Sequence, residues 1–263
     1  IMYKKGKFIP INDYDLYAVT SKNFSNEIIE KMCAEASKSI GKKCINFNDF
    51  SEDMEYSVGK TFYPDIRVIN ISEIKKLPTF LKYFEIKYRA TTIYGKDIIK
   101  DIPKFNIRDV PRSEGFRFLM NRLSLMIMHF PYSVFKGLTE SDKERLINFN
   151  MKTALSSAEA LLLYSKKFIA SYEKRSEILK KTYKRDFKEL YKQIPNLPEI
   201  VERYTEQKLR PNYDQIKDPI GDWFTLRDYA GEIIKFLLLK FTKKKAESVK
   251  DVSKIINKVF FRF

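Results

Sequence analysis

The residues with the clearest capacity for chemistry are two aspartates near the start of the chain. Asp13 and Asp15 stand in the stretch INDYDLYAV, residues 11–19, whose apolar residues predict a β-strand. Residues i and i+2 of a strand point to one face with their Cα atoms about 7 Å apart, so the two carboxylates repel each other unless a cation joins them. Mg²⁺ is the usual cation for hard oxygen ligands. A solvated turn at a strand entrance is the alternative interpretation.

A third carboxylate opens a second predicted strand. Asp65 follows Pro64 directly and begins DIRVINI, residues 65–71. If this strand lies beside the first, the three carboxylates form a ligand set for two Mg²⁺ ions roughly 3.5–4 Å apart, an arrangement that organises phosphoryl chemistry. Arg67 shares the face of Asp65, where it would contact a phosphate or a carboxylate. A surface ion pair is the alternative for Arg67.

The composition indicates a globular protein whose second half is basic. The 263 residues carry a formal net charge of +16, and residues 111–263 contain 31 Lys and Arg against 19 Asp and Glu. Such a field attracts polyanions, whether nucleotides, nucleic acid or an acidic lipid surface. Genome composition or thermophily is the alternative explanation. No apolar run reaches the roughly 18 to 20 residues of a membrane helix, so we expect a soluble protein without membrane contact.

Cysteine and histidine usage argues against several kinds of site. Cys33 and Cys44 form no CxxC pair and are too few for a disulfide framework, which favours a reducing, cytoplasmic location. His129 is the only histidine, and no ligand cluster is recognisable near it. A packed residue on a helix face is therefore favoured over a zinc ligand.

The elements that must position these residues fall into two parts. In the first part we predict strands at Asp15–Val19, Cys44–Phe47, Asp65–Ile71 and Thr91–Tyr94, and helices at Asn26–Ile40 and from Ser72. In the second we predict long helices at Ser113–Phe130, Glu140–Phe168, Ser171–Ile194, Pro198–Leu209, Asp222–Phe241 and Ala246–Phe261. The predicted fold class is α+β. Residues 1–108 form an α/β-type core with a mixed sheet, and residues 109–263 form an all-α helical bundle.

The order of these elements resembles the nucleotidyltransferase superfamily of the DNA polymerase beta type, as a small two-domain member. In both, a strand beginning Asp-x-Asp is followed by a helix, by a later strand beginning with one Asp, and by a helical domain. The likeness runs from Asp13 to about Gly95. TTIYGKDI, residues 91–98, is similar to the tail of the core in small members that act on antibiotics or proteins.

The resemblance implies an activity and roles for the aspartates. It implies transfer of a nucleoside monophosphate from an NTP to a hydroxyl acceptor, with release of pyrophosphate and with two Mg²⁺ ions as cofactor. On it, Asp13 and Asp15 match the metal-binding pair, and Asp65 matches the third carboxylate, which activates the acceptor hydroxyl. The sequence leaves open which NTP reacts, whether the acceptor is a small molecule, a protein or an RNA, and the oligomeric state.

The sequence departs from the family upstream of Asp13. Family members carry a Gly-Ser pair at a helix start there, where backbone N–H groups hold the triphosphate, whereas only Gly6 precedes Asp13 here. Since the chain opens with Ile1 rather than Met, we expect the missing element to precede this chain. A degenerate site is the alternative.

The helical half supplies one further candidate and one alternative function. Related enzymes often contribute a Lys or Arg to the triphosphate, and Lys152 is the candidate here, with a solvated position as its alternative. The basic stretch Lys180–Lys192 interleaves aromatic residues, but a buried stripe of a helix explains them more simply than an RNA site. The alternative function is a noncatalytic protein of the same fold that binds RNA or a protein partner through its basic helical domain.

Overall fold

The computed structural model describes residues 2–4, 7–9, 14–40, 45–46, 64–243, 250, 251 and 254. The chain divides into two compact units. Unit 1 comprises Ile1–Pro78 and Glu85–Lys104, and unit 2 comprises Thr79–Phe84 and Phe105–Phe263. The strands of the described residues all belong to unit 1, and the described helices from Arg112 onward belong to unit 2. At this level the fold is α+β, as the sequence predicts.

The strands of unit 1 form two separate sheets. They are β1 (Met2–Lys4), β2 (Lys7–Ile9), β3 (Tyr14–Thr20), β4 (Ile45–Asn46) and β5 (Pro64–Asn70). β1 and β2 pair in antiparallel fashion, while β3, β5 and β4 form a three-stranded sheet in that order with both pairings parallel. The sheet that carries the aspartates is thus parallel rather than mixed. Parallel strands need a crossover connection, and helix α1 (Asn26–Ile40) lies in the connection between β3 and β4.

Helix α1 covers one face of the three-stranded sheet. Ile29 and Cys33 are buried in it, and Ile66 and Val68 of β5 pack against them together with Ala36. The predicted bounds of the helix are confirmed, but the predicted apolar face is only partly buried. Ile28 and Met32 stay exposed, because the buried line follows positions 29, 33 and 36 and leaves their side of the helix outside the contact.

The remainder of unit 1 consists of short elements. A 3₁₀ helix, Ile71–Lys76, begins after Asn70, whose side chain caps the N–H of Ser72. Helix α2 (Leu81–Arg89) and a 3₁₀ turn at Ile99–Asp101 follow. The predicted strand Thr91–Tyr94 is wrong. Asp97 accepts hydrogen bonds from the Thr92 hydroxyl and from the N–H of Ile99, and these local bonds hold the segment as a loop.

Unit 2 contains six α-helices among its residues up to Thr242, apart from the start of α2. They are α3 (Arg112–Met128), α4 (Glu140–Tyr164), α5 (Tyr172–Asp186), α6 (Lys188–Gln193), α7 (Leu197–Leu209) and α8 (Pro219–Thr242). The predicted helix Ala246–Phe261 lies almost entirely outside the described residues. Within the described part of the chain, no helix has the length and apolar character needed to cross a membrane.

Helix α4 is the centre of unit 2. It packs against α3, α5, α7 and α8, and it is buried over most of the stretch from residue 146 to residue 163. Leu161 belongs to one hydrophobic cluster with Leu179 and Leu237, while Phe149 belongs to a second with Tyr204. A helix surrounded in this way shows little amphipathic pattern, because apolar contacts are needed on all sides.

Two helices end earlier than the sequence predicts. The helix predicted over Ser171–Ile194 is interrupted at Phe187, whose backbone leaves the helical region at φ −128° and ψ 49° while its ring stays buried. The helix predicted to end at Phe168 ends at Tyr164, and Lys166 then adopts the left-handed conformation at φ 58°. The N–H groups of Lys166 and Lys167 bond to the carbonyls of Leu163 and Leu162, which is a Schellman ending with lysine in the usual place of glycine.

Candidate functional site

The candidate site is the face of the three-stranded sheet on which Asp15 and Asp65 lie. β3 and β5 run parallel side by side, and Asp15 is the register partner of Asp65, each being the second residue of its strand. Neighbouring strands are about 4.8 Å apart, and register partners share a face of the sheet. The strand adjacency on which the two-metal hypothesis depends is therefore present in the fold.

This face is the one that α1 leaves uncovered. Ile66 and Val68 pack against α1, and residues of alternate parity point to the opposite side of a strand. Asp65 and Arg67 therefore occupy positions on the side away from α1, as do their register partners Asp15 and Tyr17. The apolar side of the sheet forms a core, whereas the other side carries the charged residues.

The structure brings some of the predicted site residues of unit 1 together on the sheet. Asp15 is exposed, and Arg67 is half-buried two positions beyond Asp65 on the same face. Asp13 lies outside the described residues, so its place beside Asp15 stays a prediction. The structure thus brings Asp15, Asp65 and Arg67 to one side of one sheet.

The donor chemistry of this face fits a hard divalent cation. Two aspartates at directly opposed register positions would repel each other, and a Mg²⁺ ion with oxygen ligands and retained waters is a suitable counterion. Among the described side chains, no group of three His, Cys, Asp or Glu residues forms a metal-ligand cluster. Completion of a two-ion ligand set therefore rests on Asp13.

Lys152 lies in unit 2, on helix α4. It is half-buried, and its Nζ lies 5.8 Å from the ring centroid of Phe149, one turn earlier. The Phe149 ring also stacks on His129 at a centroid distance of 4.9 Å and an interplanar angle of 6°. Burial, followed by the charges of Arg145 and Lys152, lowers the pKa of His129. His129 is accordingly a packed residue at the end of α3, as the sequence suggests.

A buried ion pair in unit 2 is not evident from the sequence. Arg175 of α5 and Glu159 of α4 are both buried and form a salt bridge, and Arg175 Nε donates to the carbonyl of Ile169 at 2.7 Å. The guanidinium also lies 4.3 Å from the ring centroid of Phe168. Arg175 is therefore an internal structural residue. The available signal was Glu159, the only charged residue in the stretch 153–163 of α4.

Five aromatic residues of unit 2 form a further feature that the sequence does not identify. Here they are called the aromatic surface, and they are Phe130, Tyr132, Phe135, Trp223 and Phe224. Tyr132, Phe135 and Phe224 are exposed. The stretch FPYSVF, residues 130–135, suggests buried apolar residues, and only the packing of the helices shows which rings stay outside.

Comparison with protein-family models, with curated proteins and with solved structures finds no match to this chain.

Proposed function

We propose that the chain is a metal-dependent nucleotidyltransferase that moves a nucleoside monophosphate from an NTP to a hydroxyl acceptor. The observation that carries this proposal is the register pairing of Asp15 with Asp65 on the sheet face away from α1. Carboxylates at opposed register positions repel each other, and cation binding is a function that would balance this repulsion.

The proposed reaction assigns a task to each residue. Asp13, Asp15 and Asp65 would hold two Mg²⁺ ions, which when bound neutralise the triphosphate and lower the pKa of the acceptor hydroxyl. The acceptor oxygen forms a bond to the α-phosphorus, the bond from that phosphorus to the bridging oxygen breaks, and pyrophosphate leaves. Asp65 would accept the proton of the hydroxyl. Arg67, on the same face, would contact a phosphate oxygen. Lys152 remains a candidate nucleotide ligand from unit 2.

Pyrophosphate release in the presence of Mg²⁺ tests the proposal. The full chain is incubated with each NTP and a cell extract as the source of acceptor, and the labelled fraction identifies the acceptor class. Asp15→Asn and Asp65→Asn should each abolish Mg²⁺-dependent release while leaving the circular dichroism spectrum unchanged. Glu30→Gln, which alters an exposed acid of α1, is the matched control and should retain activity.

Three results would contradict the proposal. Unchanged release in either aspartate variant would remove the assigned roles. Equal loss in Glu30→Gln would show that the effect is not specific to the sheet face. A chain that binds no Mg²⁺ and releases no pyrophosphate with any NTP would instead support the alternative, a noncatalytic binding protein.

A further inference from the structure

The aromatic surface consists of two inner rings with little exposure to solvent and three exposed rings around them. Phe130 is half-buried at its centre, with its ring centroid 4.6 Å from that of Trp223, which is buried. Tyr132 and Phe135 lie 6.1 Å from Phe130, and Phe224 lies 6.5 Å from it. Tyr132 and Phe135 are each 76% exposed, and Phe224 is 43% exposed. Three rings therefore offer faces or edges to solvent while the inner two fix their positions.

The segment that carries two of these rings is anchored to α4. Tyr132 and Phe135 lie three residues apart in the 3₁₀ helix Tyr132–Lys136, a spacing that puts both side chains on one side. The hydroxyl of Ser133, between them, donates to Asp142 Oδ2 at 2.8 Å, and the Thr139 hydroxyl donates to the same oxygen at 2.7 Å. Asp142 is itself buried. The rings are thus exposed although their backbone is held in place.

Two cationic side chains, Arg227 and Lys136, lie near these rings or next to them in the sequence. Arg227 has its Cζ 5.1 Å from the ring centroid of Phe224 and 5.6 Å from that of Trp223. Lys136 is exposed and directly follows Phe135. Residues 127–138 contain no Asp or Glu. Asp142 is buried beneath the segment, and Asp228, which pairs with Arg227, is the acid closest in sequence to that cation.

Open aromatic rings beside cations suit one class of partner in particular. Single-stranded nucleic acid offers unpaired bases that stack on aromatic rings and phosphates that contact Lys and Arg, whereas duplex bases are already stacked. An acidic protein segment would use the cations, but its carboxylates do not stack on aromatic rings as bases do. The excess of 31 Lys and Arg over 19 Asp and Glu in residues 111–263 adds attraction for a polyanion.

We propose that the aromatic surface binds single-stranded nucleic acid, with bases stacked on Tyr132, Phe135 and Phe224 and phosphates beside Arg227 and Lys136. This proposal does not depend on metal-dependent catalysis. Loss of nucleotide transfer in the Asp15 and Asp65 variants would leave it untouched, and absence of oligonucleotide binding would leave the proposed sheet-face site untouched.

Fluorescence anisotropy with labelled oligouridylate and oligodeoxythymidylate of 12 nucleotides tests the proposal, using the full chain without NTP. The wild-type chain should bind both strands more tightly than a duplex of equal length, with an affinity that falls as salt rises. The double variant Tyr132→Ala with Phe135→Ala should weaken binding by roughly tenfold or more, since each stacked base raises the affinity several-fold. Arg227→Gln should weaken it less and should reduce the salt dependence.

Two control variants separate stacking from other effects. Tyr88→Ala with Tyr94→Ala removes two exposed tyrosines of unit 1 and should leave binding unchanged. Tyr132→Leu with Phe135→Leu keeps the apolar area but removes the rings, and it should lose binding as the alanine pair does. Thermal unfolding confirms that each variant is folded.

Three outcomes would overturn the proposal. The first is unchanged oligonucleotide binding in the alanine pair. The second is equal affinity for duplex and single strand, which would indicate attraction by charge alone. The third is a wild-type chain that binds no strand but self-associates in sedimentation through Tyr132 and Phe135, which would assign the aromatic surface to protein contact.

Discussion

Gly115 of α3 lies against Ala160 of α4 so closely that no side chain fits between them. A Cβ placed on Gly115 would lie 2.8 Å from the Cα of Ala160 and 3.1 Å from a methyl carbon of Leu163. Because the first of these neighbours is backbone, only a shift of one helix relative to the other would relieve the contact. The packing of α3 on the central helix therefore requires glycine at this position.

Gly115→Ala should destabilise the protein by roughly 1–3 kcal/mol, the usual cost of overpacking. Gly231→Ala is the matched control. Gly231 lies in the interior of α8, and a Cβ there would meet nothing within 4 Å, so helix propensity should stabilise the protein by up to about 1 kcal/mol. Urea denaturation measures both changes. Equal and small effects of the two substitutions would show that α3 and α4 can separate freely.

Asp15→Asn should remove the stabilisation that Mg²⁺ gives to the wild-type chain. Asp15 and Asp65 are register partners, and like charges directly opposite one another destabilise a sheet by roughly 0.2–1 kcal/mol. Thermal unfolding in EDTA and in Mg²⁺ gives the change in midpoint for both proteins. Added Mg²⁺ should stabilise the wild-type chain and have little effect on the variant. An identical Mg²⁺ response in both proteins would contradict cation binding at this face.

Arg175→Met should be among the most destabilising single substitutions in unit 2. It removes the partner of buried Glu159, and an uncompensated buried charge costs about 3–5 kcal/mol. The double variant Arg175→Met with Glu159→Leu should recover much of that loss, because neither charge remains. Denaturant unfolding of the four proteins in a double-mutant cycle measures the coupling. A double variant no more stable than Arg175→Met would show that the Ile169 carbonyl contact dominates.

The stability of the protein should fall as the pH is lowered below about 6.5, the ordinary pKa of histidine. Burial, Arg145 and Lys152 lower the pKa of His129 in the folded chain, so the unfolded chain binds the proton first. The contribution of His129 to folding stability is therefore fully present above the pKa of the unfolded chain. It is lost as the pH falls through the lower pKa of the folded chain. His129→Phe keeps a ring to stack on Phe149 and should flatten the stability profile between pH 5 and 6.5. His129 is the only histidine, so an unchanged profile would contradict this assignment.

The sequence predicts the elements of the candidate site well because their signals are local. β3 and β5 are short, bounded apolar runs, and α1 has a helical repeat that ends at Gly41. The adjacency of Asp15 and Asp65 has no such local signal, because it requires β5 to lie beside β3 in the sheet and not on the far side of β4. That order is set by contacts between residues some fifty positions apart, which no local pattern records.

Helix ends and the aromatic surface could not be predicted for related reasons. Lys166 takes a left-handed conformation that usually indicates glycine, and its Nζ bonds to the carbonyls of Arg108 and Val110, far away in sequence. Phe187 continues the apolar repeat of α5, so its break is invisible in the pattern. Likewise, Trp223 is buried and Phe135 is exposed because of how α3, α4 and α8 pack. Both residues are large and aromatic, so their side-chain types alone do not distinguish the two positions.

The strand order of unit 1 has a consequence for biosynthesis. β3 and β4 each hydrogen-bond to β5, the last of the three to leave the ribosome, and not to each other. A nascent chain that has emerged only as far as residue 46 therefore holds two strand segments with no mutual partner, and Ile29 and Cys33 have no surface to cover. The sheet can close only after residues 64–70 have emerged and lie between the two earlier strands.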